Sequence, residues 1–97
     1  MRIEYPATVS RDEGGRYMVK FHDFGWGATD GETLEEALAE ASGCLDVLIM
    51  STMDKNEMLP VPGDMMAPGV YPVAPSAVIA AKAAKYPGKY PGTNSLP

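Results

Sequence analysis

The carboxylates of this sequence are the first place to look for chemistry, because 13 Asp and Glu side chains occur in 97 residues. Hydrolysis of a phosphodiester by paired metal ions needs three or four carboxylates around ions about 4 Å apart. The first strand-like segment offers only Glu4. Asp12, Asp23 and Asp30 fall in segments that read as turns, where aspartate forms local hydrogen bonds. We therefore predict no catalytic carboxylate cluster and no enzymatic activity.

One histidine and one cysteine complete the reactive side chains. A zinc-type site needs several His or Cys ligands at defined spacing, so His22 is interpreted as a solvent-facing side chain at a strand end. Cys44 falls among apolar residues with acidic neighbours, which predicts a buried structural thiol and not a nucleophile. A single cysteine closes no internal disulfide. We expect no metal ion and no cofactor.

Charge is distributed unevenly along the chain. Residues 1–66 hold all 13 acidic side chains against five basic ones, a net charge of −8, whereas residues 67–97 hold three lysines and no acid. An acidic body repels phosphate backbones, which bind through Lys and Arg. The same charge attracts a basic partner and speeds the encounter. Nucleic-acid binding by the body is therefore not expected.

The chain is of single-domain length. Its apolar runs, of which 47–50 is an example, are far shorter than the ~20 residues that span a bilayer. The first residues lead directly into a strand-like pattern and do not resemble a signal peptide. We expect a cytoplasmic protein without membrane association.

An alternation of apolar and polar residues predicts strands in the first third of the chain. Ile3, Tyr5, Ala7 and Val9 share one face, as a half-buried strand requires. A polar run ending in Gly14 and Gly15 predicts a hairpin. A second strand follows over 17–22, and after a turn at 23–27 a short third strand is expected near 26–29. These segments predict an antiparallel meander.

A long amphipathic helix follows from about Leu34 to Asp54. Thr33 and Glu36 have the spacing of a capping box. Apolar residues recur at helical spacing, namely Leu34, Ala37, Leu38, Ala41, Cys44, Leu45, Leu48, Ile49 and Met53. Gly43 lowers helix propensity by about 1 kcal/mol relative to alanine, so we expect close packing against another backbone there.

Eight of the nine prolines fall in residues 60–97. Residues 70–73 predict a short strand, which Pro72 assigns to a sheet edge, and 76–85 predict a second helix. The fold class is α+β: a meander of three antiparallel strands, a long crossover helix, a short fourth strand and a second short helix. We predict a sheet-and-helix domain over 1–74, followed at 75–97 by a helix and a Pro/Gly-rich tail that packs in an oligomer.

Several of these motifs together resemble the HicB antitoxin family. The resemblance covers roughly residues 3–84. Its most specific part is the pattern T-x-G-x-T-x-E-E-A at 29–37, placed behind the Gly-Gly hairpin at 14–19. Further similarity lies in the Tyr5-Pro6 pair, in the segment 21–24 and in the helix exit at 56–62.

The resemblance implies a truncated ribonuclease H-like domain that no longer cuts nucleic acid. HicB-like proteins bind HicA, a small basic ribonuclease toxin, and cover its active surface; they commonly form dimers or tetramers. Many carry a C-terminal DNA-binding domain, but no recognition helix follows Tyr86. DNA binding by this chain is therefore not expected.

The leading hypothesis is thus an antitoxin that neutralises a HicA-like ribonuclease by occlusion. The alternative is a self-assembling structural or regulatory remnant without a toxin partner. The glutamates of the helix start are explained either as capping residues or as an acidic patch, and Trp26 either as an interface anchor or as a cap on the core. The candidate partner-binding residues are Asp23, Phe24, Trp26, Glu32, Glu36 and Glu40. Tyr86 and Tyr90 are the candidate anchors between subunits.

Overall fold

A computed structural model describes residues 3–87 of the chain. The strands are β1 (Tyr5–Arg11), β2 (Tyr17–Lys20), β3 (Ala28–Gly31) and β4 (Val70–Val73), and the helices are α1 (Leu34–Asp54) and α2 (Ala77–Lys85). A 3₁₀ turn, His22–Phe24, lies between β2 and β3. The predicted α+β fold with its β-β-β-α-β order is confirmed.

The four strands form one antiparallel sheet in the order β3-β2-β1-β4, so β4 lies at an edge as predicted. Pro6 of β1 stands opposite Pro72 of β4. The amide of Val9 donates to the carbonyl of Gly69 at 2.8 Å, and alternate residues of a strand direct their amides to opposite sides. The nitrogen of Pro72 therefore faces the free edge of the sheet, where it offers no donor to a further strand.

One face of the sheet is covered by α1, and the two elements bury a single core. Within it, the hydroxyl of Tyr5 donates to the carbonyl of Pro60 at 2.6 Å and ties the segment after α1 to the sheet. The buried core residues are Ile3, Tyr5, Ala7, Val19, Phe21, Ala37, Ala41, Leu45, Leu48, Ile49, Leu59, Val73, Ile79 and Ala83.

The start of α1 has one of the two capping-box hydrogen bonds that the sequence predicted. The Thr33 hydroxyl accepts from the amide of Glu36 at 3.0 Å. The Glu36 carboxylate accepts from the amide of Glu32 at 2.8 Å, one residue earlier than a standard capping box requires. Directly before this turn, a Cβ on Gly31 would lie 2.6 Å from the Ala37 nitrogen. Glycine at 31 therefore lets β3 and α1 approach closely.

The expectation that another backbone packs closely against Gly43 is wrong for the described residues 3–87. Gly43 is exposed, and a Cβ added to it would meet no described atom within 4 Å. The reason is rotational position: Gly43 lies on the side of α1 opposite Ala41 and Leu45, which face the sheet.

The second helix, α2, packs against α1 of its own chain. Ile79 and Ala83 are buried. The amide of Ser76, the N-cap of α2, donates to the Asp46 carboxylate of α1 at 2.9 Å. Oligomer packing by residues 75–97 stays a prediction, and the residues after 87 lie outside the described part of the chain. Between residues 3 and 87, neither helix combines the length and apolar character that crossing a bilayer requires.

Candidate partner-binding surface

The turn between β2 and β3, residues 22–27, presents one aromatic side chain outward; we call it the tryptophan turn. Gly25 caps the 3₁₀ turn with φ +79°, and Gly27 has φ +102°. L side chains rarely adopt either conformation. A Cβ on Gly27 would also lie 2.8 Å from the Leu48 methyl groups. The Gly-Trp-Gly sequence therefore brings the turn against α1 while Trp26 stays on the surface.

The residues before Trp26 hold the turn in place. Phe24 packs inward, with its ring edge-on to Tyr5 at a centroid distance of 4.7 Å. The Asp23 carboxylate accepts from the amide of Gly63 at 2.9 Å, which fastens the segment after α1 to the turn. Asp23 and Phe24, two of the six candidate partner-binding residues, thus have contacts within the chain, as do the acidic candidates Glu32 and Glu36.

Trp26 itself is 53% exposed, so it does not cap the core. It borders a shallow depression of about 200 Å³ that Lys20 and His22 also line. Tryptophan is enriched among the residues that dominate binding energies at protein interfaces. A half-exposed tryptophan in a turn that is fastened to the core is therefore a suitable anchor for a partner.

An acidic edge, defined by Asp30, Glu32, Glu36 and Glu40, begins at the other end of β3. The Arg16 guanidinium lies between two of its carboxylates, 3.1 Å from Asp30 and 3.7 Å from Glu32. The hydrogen bond that the Arg16 guanidinium donates to the Asp30 carboxylate raises the pKa of Arg16 above its ordinary value. Asp30 belongs to β3, so its expected place in a turn is wrong. One guanidinium shared by two carboxylates leaves the edge negatively charged.

The glutamates of this edge differ in what they do locally. The carboxylate of Glu36 completes the helix start, and Glu40 is exposed on the second turn of α1. Trp26 precedes β3 and Glu32 follows it, so the two residues lie at opposite ends of this edge strand. The helix returns along β3, since the Cys44 sulfur lies 4.0 Å from the Ala28 carbonyl. The tryptophan turn and the acidic edge therefore flank one side of the molecule.

Sequence reasoning missed a second exposed apolar surface, on the outer side of α1. Val47 is 57% and Met50 42% exposed. With Ser51, Asp54 and Lys55 they line a groove of about 310 Å³. The sequence did contain a signal for this surface. Residues 47–50 are all apolar, and four consecutive residues of a helix point in different directions, so at least one of them must face away from the core.

The two remaining reactive side chains, those of His22 and Cys44, differ in their exposure to solvent. His22 is exposed, and Cys44 is half-buried, with burial raising the pKa of its thiol. Among residues 3–87, no three His, Cys, Asp or Glu side chains are grouped so that they would hold a metal ion.

A comparison with protein families gives this arrangement its context. The family described as "HicB_like antitoxin of bacterial toxin-antitoxin system" matches residues 4–84. The chain belongs to this family. The tryptophan turn, the acidic edge and the outer side of α1 thus all lie within the HicB-like region.

Individual HicB antitoxins are also similar to this chain in sequence. The chain is 38% identical over 61 residues to Antitoxin HicB 1 of Photorhabdus laumondii, covering 63% of this chain and 39% of that protein. It is 33% identical over 63 residues to Antitoxin HicB of Escherichia coli K12, covering 65% of this chain and 46% of that protein. The matches thus span less than half the length of these two relatives.

A solved structure has the same fold. It is described as a toxin–antitoxin complex from Streptococcus pneumoniae, and it superimposes with a TM-score of 0.69 at 23% identity. The alignment covers 100% of this chain and 82% of that chain. The HicB-like chain described here therefore shares its architecture with a chain of that complex.

Proposed function

We propose that this HicB-like antitoxin neutralises a HicA-like toxin, a small basic ribonuclease, by covering the surface on which the toxin binds RNA. It does so in the cytoplasm as a binding protein and not as an enzyme. Family membership over residues 4–84 carries the proposal. The HicB relatives and the fold shared with a chain of a toxin–antitoxin complex support it.

The charge of α1 favours such a partner. Residues 33–54 contain no Lys, Arg or His. A ribonuclease surface that binds RNA is rich in Lys and Arg. Opposite charges raise association rates and disfavour neutral or acidic competitors. The acidic side chains of this segment are Glu35, Glu36, Glu40, Asp46 and Asp54.

The tryptophan turn supplies an anchor that charge alone lacks. Exposed salt bridges contribute about 0–1 kcal/mol each, whereas removal of a central interface tryptophan costs about 2 kcal/mol or more. Trp26 is 53% exposed in a turn that Phe24 fastens to Tyr5 of β1. In this proposal the acidic edge attracts and orients the toxin, and Trp26 contributes most of the binding energy.

The direct test mixes this protein with the product of the neighbouring reading frame. We expect a stable complex, and we expect RNA cleavage by the toxin to fall to background as the antitoxin reaches stoichiometric amounts. Size-exclusion chromatography and a fluorescent RNA substrate report the two results. A toxin that remains free and active at excess antitoxin would refute the proposal.

Matched variants test the two parts of the surface. Trp26→Ala is expected to raise the Kd at least tenfold. A tenfold change corresponds to about 1.4 kcal/mol, and loss of a central interface tryptophan costs about 2 kcal/mol or more. Met66→Ala is its control, since Met66 is 90% exposed on a different segment.

Glu40→Lys is expected to slow association more at low than at high salt, whereas Glu13→Lys in the β1–β2 hairpin has a smaller effect. Equal effects within either pair would exclude the assigned surface.

Self-assembly, as a homodimer or tetramer, remains the alternative. Tyr86 is half-buried, and its hydroxyl donates to the Glu57 carbonyl of the same chain at 2.7 Å; Tyr90 lies outside the described residues. Since α2 carries core residues, the appropriate variant is a point substitution and not a truncation. If the tyrosines join subunits, Tyr86→Ala or Tyr90→Ala lowers the mass measured by sedimentation. An unchanged mass would exclude that role.

A further inference from the structure

The outer side of α1 carries a row of residues that stay exposed among the described residues 3–87. We call Ala39, Gly43, Val47 and Met50 the outer row. All four are exposed, and they lie opposite the helix face that contacts the sheet. The solvent face of a surface helix is normally polar. An apolar row in that position marks a contact surface.

Gly43 strengthens this interpretation. Glycine inside a helix is less favourable than alanine by about 1 kcal/mol, and within the described chain there is open space where a Cβ would lie. No contact among residues 3–87 therefore requires glycine at this position. A glycine in an exposed row does allow the backbone of a second helix to approach closely.

The dimensions suit a helical occupant. From residue 39 to residue 50 the row is about 17 Å long at about 1.5 Å per residue, or three turns. Val47, Met50 and Ser51 line the groove of about 310 Å³ at its end. Side chains of a second helix fit between such ridges when two helices pack.

Charge decides between the possible occupants. Residues 33–54 carry five acidic side chains and no basic one. A second copy of this helix would place two strongly acidic surfaces against each other, which costs free energy. A basic helix instead places its cations beside Glu36, Glu40 and Asp54.

We propose that the outer row seats an amphipathic helix of the basic toxin, with small or aliphatic residues against Gly43 and Val47 and Lys or Arg along the flanks. The inference rests on the proposed function, because it names the surface through which the toxin is held. The Cys44 sulfur lies 4.0 Å from the Ala28 carbonyl of β3, and Val47 lies three residues after Cys44 on the adjoining helix face. The outer row therefore borders the side of α1 that meets the strand following Trp26.

The test compares Val47→Asp with Val78→Asp in the complex with the toxin. Val78 is 65% exposed on α2 and provides a matched apolar-to-acidic control. We expect Val47→Asp to raise the Kd at least tenfold and Val78→Asp to change it less than twofold. Thermal unfolding of the free proteins checks that neither substitution disturbs the fold. Equal effects of the two variants, or no effect of Val47→Asp, would overturn the proposal.

Two further measurements separate this inference from the proposed function. If the wild-type protein binds no toxin, the proposed function fails; the row is then judged with a synthetic 18-residue helix of leucine and lysine. Amide NMR shifts centred on residues 39–50 and lost in Val47→Asp would support a basic-helix site, and shifts elsewhere would refute it. Sedimentation tests the other occupant: a wild-type dimer that Val47→Asp dissociates would assign the row to a second copy and overturn the proposal.

Discussion

Both sides of α1 carry apolar residues, yet only one of them builds the fold. On the inner side Ala37, Ala41 and Leu45 are fully buried against the sheet. On the outer side Gly43, Val47 and Met50 remain exposed along the same turns. Apolar composition alone therefore does not separate core from binding surface. The helix is an internal scaffold on one side and, in our proposal, a contact surface on the other.

The two sides should differ most in the free energy of unfolding that is lost when Leu45 and Val47 are each replaced by alanine. Leu45→Ala removes a fully buried side chain and should lower the free energy of unfolding by about 2–5 kcal/mol. Val47→Ala should change it by less than about 0.5 kcal/mol, because the side chain is exposed. Urea denaturation monitored by circular dichroism measures both values. Comparable losses would mean that the outer row is also part of the core.

Alanine substitutions at two glycines, one packed against α1 and one on its exposed side, test the same difference. Gly31→Ala places a Cβ 2.6 Å from the backbone nitrogen of Ala37. Neither strand nor helix backbone yields easily, so we expect a loss of about 1–3 kcal/mol. The midpoint of urea denaturation reports it. A variant as stable as the wild type would show that β3 and α1 are not in close contact.

Gly43→Ala should have the opposite sign. The added methyl group meets open space, and the helix gains about 1 kcal/mol in propensity. If a partner helix approaches there, the same substitution weakens toxin binding while it raises stability. Unfolding and affinity measurements on one preparation check this separation. An improvement in both would argue against close approach at this position.

A smaller effect concerns Cys44, at the boundary between the two sides. Burial raises the pKa of its thiol, so the native protein forms less thiolate at a given pH than the unfolded chain. Alkylation by iodoacetamide should level off at a higher pH for native protein than for protein in urea. The unfolded thiol ionises first, so stability decreases as the pH rises into this range. Coincident pH profiles would indicate an exposed thiol.

The sequence predicted those features that local signals determine. Thr33 with Glu36 marked the start of α1, and the alternation of Tyr5, Ala7 and Val9 marked the buried face of β1. Pro72 correctly assigned β4 to an edge, because a missing amide donor restricts where a strand can lie.

Features that depend on tertiary contacts were not predictable in the same way. Phe24 and Trp26 looked alike as aromatic residues in one turn, but only the structure shows Phe24 against Tyr5 and Trp26 outward. The outer row was missed since its residues lie outside the continuous apolar stripe. Whether an apolar residue meets the sheet or solvent depends on the rotation of the helix on the sheet, and the sequence alone did not define that rotation at Gly43.

Hydrogen–deuterium exchange of the antitoxin, free and with the product of the neighbouring frame, tests the central claim most directly. The account predicts slower exchange in the tryptophan turn and in the middle of α1, with little change in β4 and α2. Protection confined to β4 and α2, or no protection at all, would contradict a partner held on this side of the protein.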